Sequence, residues 1–170
     1  MRVISRIVCV IWMYVMVSPV MSDVPPDEFL VFRGASDASA GVAVNENMFV
    51  VADDENNILR IYETGKTGQP VSSSDMTSFL GIEPDHPESD IEDATIVGRR
   101  IYWIASHGRN KDGKLRPNRY RFFATDVLPE NQSVKIRPVG KPCETLVHEL
   151  LKTPAARRLG LDKATRFGAP

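Results

Sequence analysis

Residues 37–54 and 90–107 carry one apolar pattern twice, and this constrains the fold more than any other feature of the chain. With Asp37 set over Asp90, DASAGVAVNENMFVVADD lies over DIEDATIVGRRIYWIASH without a gap, a shift of 53 positions. Val44 meets Val97, Met48 meets Ile101, Phe49 meets Tyr102, Val50 meets Trp103, Val51 meets Ile104 and Ala52 meets Ala105. Few residues are identical; the alternation is what repeats. After an insertion of about eight residues in the second copy, LRIYET lies over YRFFAT at Tyr120–Thr125. A pattern that regains its register after an insertion marks a repeated supersecondary unit rather than two unrelated meanders.

Each unit reads as short antiparallel strands. GVAVN, NMFVVAD and ILRIYET are rich in β-branched or aromatic residues, and each closes on Asn, Asp or Gly. A weaker fourth strand is expected at Gln69–Ser73, before DMTSFLG, where Asp75 is placed to cap a helical turn. In the second unit the fourth strand is expected at Val134–Val139. Four strands in about 40 to 55 residues is the size of a β-propeller blade. The expected fold class is therefore all-β, with four-stranded antiparallel blade repeats of propeller type at about 37–83 and 90–140. A blade leaves both faces uncovered when alone, and propellers close with four or more. Two blades imply an incomplete propeller: the front part of a longer protein, or a chain that needs further blades or self-association.

The flanks differ. Arg2 and Arg6 precede an unbroken apolar run from Ile7 to Val17; Pro19 breaks it, and Val20 and Ser22 sit where a signal peptidase requires small residues before Asp23. Residues 1–22 read as a secretory signal, too short in its apolar part for the ~20 residues of a spanning helix. The expected address is secreted or periplasmic, with no stable membrane span after signal removal. Residues 23–28, DVPPDE, read as a flexible lead-in. Cys143 is then the one cysteine of the mature chain, so no internal disulfide and no CxxC metal site is expected. The domain itself is expected from 29 to 170, ending in a helical tail at 143–167. There ETLVHELLK places Leu146, Leu150 and Leu151 on one side of a short helix, and Thr153-Pro154 signals a second helix start.

Lys and Arg total 21 against 22 Asp and Glu, a net charge of −1. The basic field that collects nucleic acid is absent. The charged residues cluster instead. In a propeller blade the segment leading into the innermost strand and the loop joining the second and third strands emerge on the same face. That face would carry the acidic stretch Asp85, His86, Glu88, Asp90, Glu92 and Asp93, together with Ser106, His107, Arg109, Asn110, Lys111, Lys114, Arg116, Asn118 and Arg119. Asp37, Ser39 and Asp53–Asn57 of the first unit would join them, with DDENN at 53–57 forming a hairpin turn.

Two chemistries suit such a face. Asp90, Glu92 and Asp93 are candidate ligands for a hard cation such as calcium, which takes six to eight oxygens. Arg109, Asn110, Lys111, Arg116, Asn118 and Arg119 are candidates for gripping a small anionic ligand or a protein partner. Combined, they resemble the parts of a calcium-assisted ester or phosphoester hydrolase, with His107 carrying the proton and Arg109 and Arg116 stabilising developing charge. Against this stands the reading in which Asp90 and Glu92 pair with Arg109, Arg116 or Arg119 and merely hold a long loop in place. His86 is expected in solvent, His148 partly buried on its helix, Trp103 in the blade core and Tyr102 at its rim. No nucleophile elbow, glycine-rich phosphate loop or HExxH helix is present in the sequence.

SDIEDATIVGRRIYWIASHGRNKDGKLRPNRYRFFAT, preceded by DASAGVAVNENMFVVADDENNILRIY, resembles the exported bacterial proteins grouped as domain of unknown function 3616 over roughly residues 30–170. The resemblance implies an exported propeller-like protein. Members of that group are usually longer, with further blades and a second acidic segment. The group has no settled function, so the resemblance implies a fold and an address rather than a reaction.

Overall fold

The computed structural model describes residues 29–161. The expected signal segment 1–22, the lead-in 23–28 and the last residues of the helical tail lie outside that range.

Eight strands form two four-stranded antiparallel sheets, each a simple up-and-down meander. The first runs β1 (Ala38–Asn45), β2 (Met48–Asp53), β3 (Ile58–Glu63) and β4 (Ser72–Asp75). The second runs β5 (Ile91–Val97), β6 (Arg100–Ala105), β7 (Phe122–Glu130) and β8 (Ser133–Cys143). A single helical turn, α1 (Thr77–Leu80), links the sheets, and α2 (Leu146–Leu151) and α3 (Pro154–Arg158) follow β8. Among the described residues no helix is long and apolar enough to cross a membrane.

Tight hairpins set the registers. Val97 pairs Arg100 across Gly98-Arg99, and Gly98 takes a φ of 63°, which a residue without Cβ adopts freely. At the β1–β2 turn, Asn45 accepts a hydrogen bond from the Asn47 N–H at 2.8 Å, a side-chain bond that closes the turn locally. β4 differs from expectation: the strand is Ser72–Asp75 rather than Gln69–Ser73. It is an edge strand of polar residues that pairs with β3 through backbone alone, so its side chains carried no apolar alternation to locate it. β8 also runs longer than expected and contains Pro138, a residue compatible with a sheet edge because it lacks the ladder N–H.

Between the sheets lies one apolar core. Val42, Met48, Val50, Ala52, Leu59 and Ile61 of the first sheet join Ile91, Ile101, Trp103, Phe123, Val127 and Ile136 of the second. α1 seals its flank: Leu80 and the preceding Met76 are buried, and Phe79 meets Phe123 edge to face. Trp103 is fully buried, stacks on Phe123, and donates its indole N–H to the Thr125 hydroxyl at 3.0 Å. Thus Trp103 is core, as the sequence pattern implied, and Tyr102 is half-buried on the opposite face. The other face of the first sheet has its own aromatic cluster, in which Phe32 packs on Phe49 and Tyr62 at centroid distances of 4.9 and 5.3 Å. The Tyr62 hydroxyl donates to the Arg33 carbonyl and fixes that segment on the sheet.

The helical tail corrects one expectation. His148 is exposed rather than partly buried, because α2 contributes no fully buried side chain and turns its histidine to solvent. Thr153 caps α3 as its Thr-Pro signal suggests, accepting from the Ala156 N–H at 3.2 Å.

Trp103→Ala should cost about 3–5 kcal/mol by leaving a cavity at the sheet interface. Thr125→Val should cost roughly 1–3 kcal/mol by orphaning the indole N–H. Urea unfolding followed by tryptophan-independent far-UV circular dichroism checks both, and equal costs for the two would contradict this packing.

Candidate functional site

Both sheets present the same end to one region. β1 leaves Asp37 where β2 arrives at Asp53, and β5 leaves Asp90 where β6 arrives at Ala105, as the pairings Ala38 with Asp53 and Ile91 with Ala105 show. The Ser39 hydroxyl donates to the Ile91 carbonyl and joins the two ends directly.

In the first sheet this end is anchored by Asp53, which is fully buried. Its carboxylate accepts the N–H groups of Ser36 at 2.7 Å and Glu55 at 3.1 Å, and Arg60 lies 3.7 Å away. Burial pushes its pKa up, but those hydrogen bonds and the Arg60 guanidinium outweigh burial and hold the carboxyl below the usual range. Asn57, also buried, ties the loop to the second sheet. Its amide donates to the Thr77 hydroxyl at 3.2 Å and the Pro87 carbonyl at 2.7 Å, and its oxygen accepts the Ser89 N–H at 2.9 Å.

The basic loop of the second sheet is largely self-contained. Asn110 takes the N–H groups of Asp112 and Lys114 on its side-chain oxygen, and Arg109 bridges Leu115 and donates to the Gly113 carbonyl at 3.1 Å. Residues 109–115 thus close a small hairpin with Lys111 exposed in its turn. Beyond it, a 3-10 turn at Pro117–Arg119 buries Asn118, whose amide donates to the Glu83 and His86 carbonyls. Arg119 pairs with Glu88 at 2.6 Å and with Asp90 at 2.8 Å. Arg116 lies 3.2 Å from the His86 Nε2, so His86 is held half-buried against the loop instead of standing in solvent. Three expected anion ligands, Arg116, Asn118 and Arg119, therefore engage the segment 83–90; Arg109, Asn110 and Lys111 lie apart in the hairpin.

Carboxylates remain in excess. Asp37, Asp54 and Glu55 bring one oxygen each within 4.8 Å of one another. Asp54 is half-buried, and its Oδ1 is enclosed with no hydrogen-bond partner among the described residues. Burial, then Asp37, Asp90 and Asp53, push its pKa up. Glu92 is raised in the same way, by desolvation and by Asp90 and Asp54, with Arg119 opposing. The structure thus adds Asp37, Asp54 and Glu55 to Asp90 and Glu92. Asp93 stands apart, exposed beside a bulge and bonded to the Ala94 N–H at 2.7 Å. The sequence placed Asp37, Asp54 and Glu55 on this face, but because DDENN reads as a hairpin turn none of the three stood out as a cation ligand.

Strain collects beside this cluster. Asp90 and His107 adopt φ of 59° and 51°, costly for residues with a Cβ. His107 Nδ1 lies 2.8 Å from the Ala105 carbonyl, and its ring meets Tyr120 edge to face. Its Nε2, the Ser89 Oγ and the Arg119 Nε are buried without hydrogen-bond partners among the described residues.

Comparison with known proteins returns no matching family model, no matching curated protein and no matching solved structure.

Asn57→Ala should cost roughly 2–3 kcal/mol by orphaning the Ser89 N–H and the Pro87 carbonyl in the segment that leads into β5, read by denaturant unfolding. Asp54→Asn should instead stabilise the protein at neutral pH. A raised carboxyl penalises the folded state in full above its folded pKa, and the penalty fades as pH falls from there toward about 4, below which both states are protonated. The Tm difference between wild type and variant should shrink over that descent; a constant difference would contradict the repulsion described here.

Proposed function

We propose that this chain is an exported binding module of β-propeller type whose carboxylate-rich end takes a hard divalent cation, calcium in the first instance. The observation that carries this reading is the enclosed Asp54 Oδ1, which feels the charges of Asp37 and Asp90 and has no donor among the described residues. A buried carboxylate oxygen without a donor is costly, and a cation removes that cost together with the repulsion. Asp37, Asp54 and Glu55 would provide the first oxygens, with Asp90 and Glu92 at hand across the sheet junction. Calcium tolerates such an irregular oxygen set better than magnesium, which demands a near-ideal octahedron. The four-stranded meanders and their apolar interface support the blade reading. The resemblance to exported bacterial proteins and the signal-like segment 1–22 support the address.

A second reading is favoured by His107. Its Nδ1 contact to a carbonyl leaves Nε2, which has no partner among the described residues, as the basic nitrogen, so a calcium-assisted ester or phosphoester hydrolase would place the proton there once a turn of the ring or of its loop uncovers that enclosed atom.

Isothermal titration should show saturable calcium binding at about 10−6 to 10−3 M, with magnesium weaker. Asp54→Asn should abolish it while leaving far-UV circular dichroism unchanged; no calcium heat at millimolar concentration overturns the reading. For the second reading, a panel of phosphoesters with calcium should show turnover that His107→Gln removes, and no turnover on any of them sinks it.

A further inference from the structure

The two sheets do not meet like face to like face. On β2 the Asn47 carbonyl accepts from the Thr64 N–H, so odd residues there point their backbone groups toward β3 and Met48, Val50 and Ala52 toward β1. On β6 the Ala105 N–H donates to the Arg121 carbonyl, so Ile101, Trp103 and Ala105 point toward β7. For L-residues in strands of equivalent direction, the side toward which N–H and C=O point fixes the face on which the side chain stands. Val50 and Trp103, aligned in the sequence, therefore stand on opposite faces of corresponding sheets. The core joins face A of the first sheet to face B of the second, a heterologous contact.

A heterologous contact leaves its complements unused at the two ends of the stack. The second sheet turns its own face A outward, bearing Thr95, Val97, Tyr102, Ile104, Phe122 and Ala124. Tyr102 and Phe122 stack at 6.1 Å, the four residues on β6 and β7 are half-buried, and Val97 is 66% exposed. The corresponding positions Val42, Val50 and Ile61 on the first sheet are at most 7% exposed, because the second sheet covers them. At the other end, the first sheet turns its face B outward. Phe32 covers that face over Phe49 and Tyr62, toward β3, while Gly41 and Ala43 on β1 stay exposed. The internal interface is closest along β1 and β5. Gly41 and Ala43 are the small residues that would admit a second β5 at the same place.

We propose that the outward face of the second sheet docks on the β1 margin of the first sheet of a second copy of this chain, continuing the interface that the two sheets already make. The matching surface is present on the same molecule, and the contact is head to tail. Two copies would close four sheets into a ring and three copies six, both within the range of propeller closures. The proposal rests on the sheet faces and is independent of the cation site at the strand ends.

Sedimentation velocity of the full chain should show concentration-dependent association to a closed dimer or trimer between about 1 and 100 μM. Val97→Arg and Ala43→Arg, one on each proposed surface and both exposed in the single molecule, should each weaken association about tenfold or more, which is about 1.4 kcal/mol, with unchanged circular dichroism. Mixing the two variants leaves one intact pairing, Val97 of one chain on Ala43 of the other. The mixture should form a heterodimer that neither variant forms alone. A monomer throughout overturns the proposal. So does association insensitive to both substitutions, or a mixture no stronger than its components.

Discussion

An open four-stranded sheet with apolar residues on both faces has to be covered on both, and this constraint organises the molecule. Alternation places Val50, Leu59 and Ile61 on one face of the first sheet and Phe49 and Tyr62 on the other. One face is covered by the second sheet, the other by a strap that brings Phe32 against the aromatic pair. The second sheet repeats the problem with Trp103 and Phe123 inward and Tyr102 and Phe122 outward. Fully burying an aromatic or branched side chain is worth about 1.5–3 kcal/mol, so the inward set outweighs any single polar contact in the structure. The opposite hand of the two packed faces then follows from where their backbone hydrogen bonds point.

Stacking sheets in this way brings their strand ends together, and polar loops must be fixed there without the help of an apolar core. The chain does so with buried amides. Asn57 and Asn118 each bond the backbone of the segment 83–89 from a different sheet, and Arg119 adds the carboxylates of Glu88 and Asp90. A guanidinium engaged with two carboxylates is a positioning device, and Arg119 holds the segment 88–90 in this way. The acidic groups of the first sheet are not neutralised in this way. Asp53 has its donors, whereas Asp54, one residue on, has an enclosed oxygen and like charges around it.

The strands were legible because alternation is a period-two signal carried by large residues. Val44, Met48, Val50 and their second-unit counterparts located β1, β2, β5 and β6 to within a few residues. β4 was displaced because Ser72–Asp75 has no apolar alternation and is positioned by β3 alone. The repeat also misled in one respect. Overlaying Val50 on Trp103 suggests equivalent orientation, yet the two residues face opposite ways, since the pairing register of β5 with β6 is slipped by one residue relative to that of β1 with β2. At the charged end, the sequence showed which residues share a face but not which neutralise each other. Arg119 and Arg116 have the same composition and neighbourhood in the sequence, and only the turn at Pro117–Arg119 decides that one reaches Glu88 and Asp90 while the other reaches His86. His148 read as a packing residue from helix periodicity, but a six-residue helix with no buried side chain imposes no inward face.

The uncompensated carboxylates and the sheet stack bear on one another. Asp54 and Glu92 belong to different sheets, and their mutual repulsion acts across the junction that the apolar core closes. Hydrophobic burial scales with area and pulls the sheets together along β1 and β5; the like charges push apart only at one end of those same strands. Local repulsion held in place by a larger cohesive interface is stored strain, in the same region where Asp90 and His107 carry strained backbone. A cation bound at that end would release the electrostatic part without changing the packing behind it. The opening between the sheets at their charged end would then depend on cation occupancy, while the far end, closed by the Gly98 hairpin and the contact of Val44 with the core, would not.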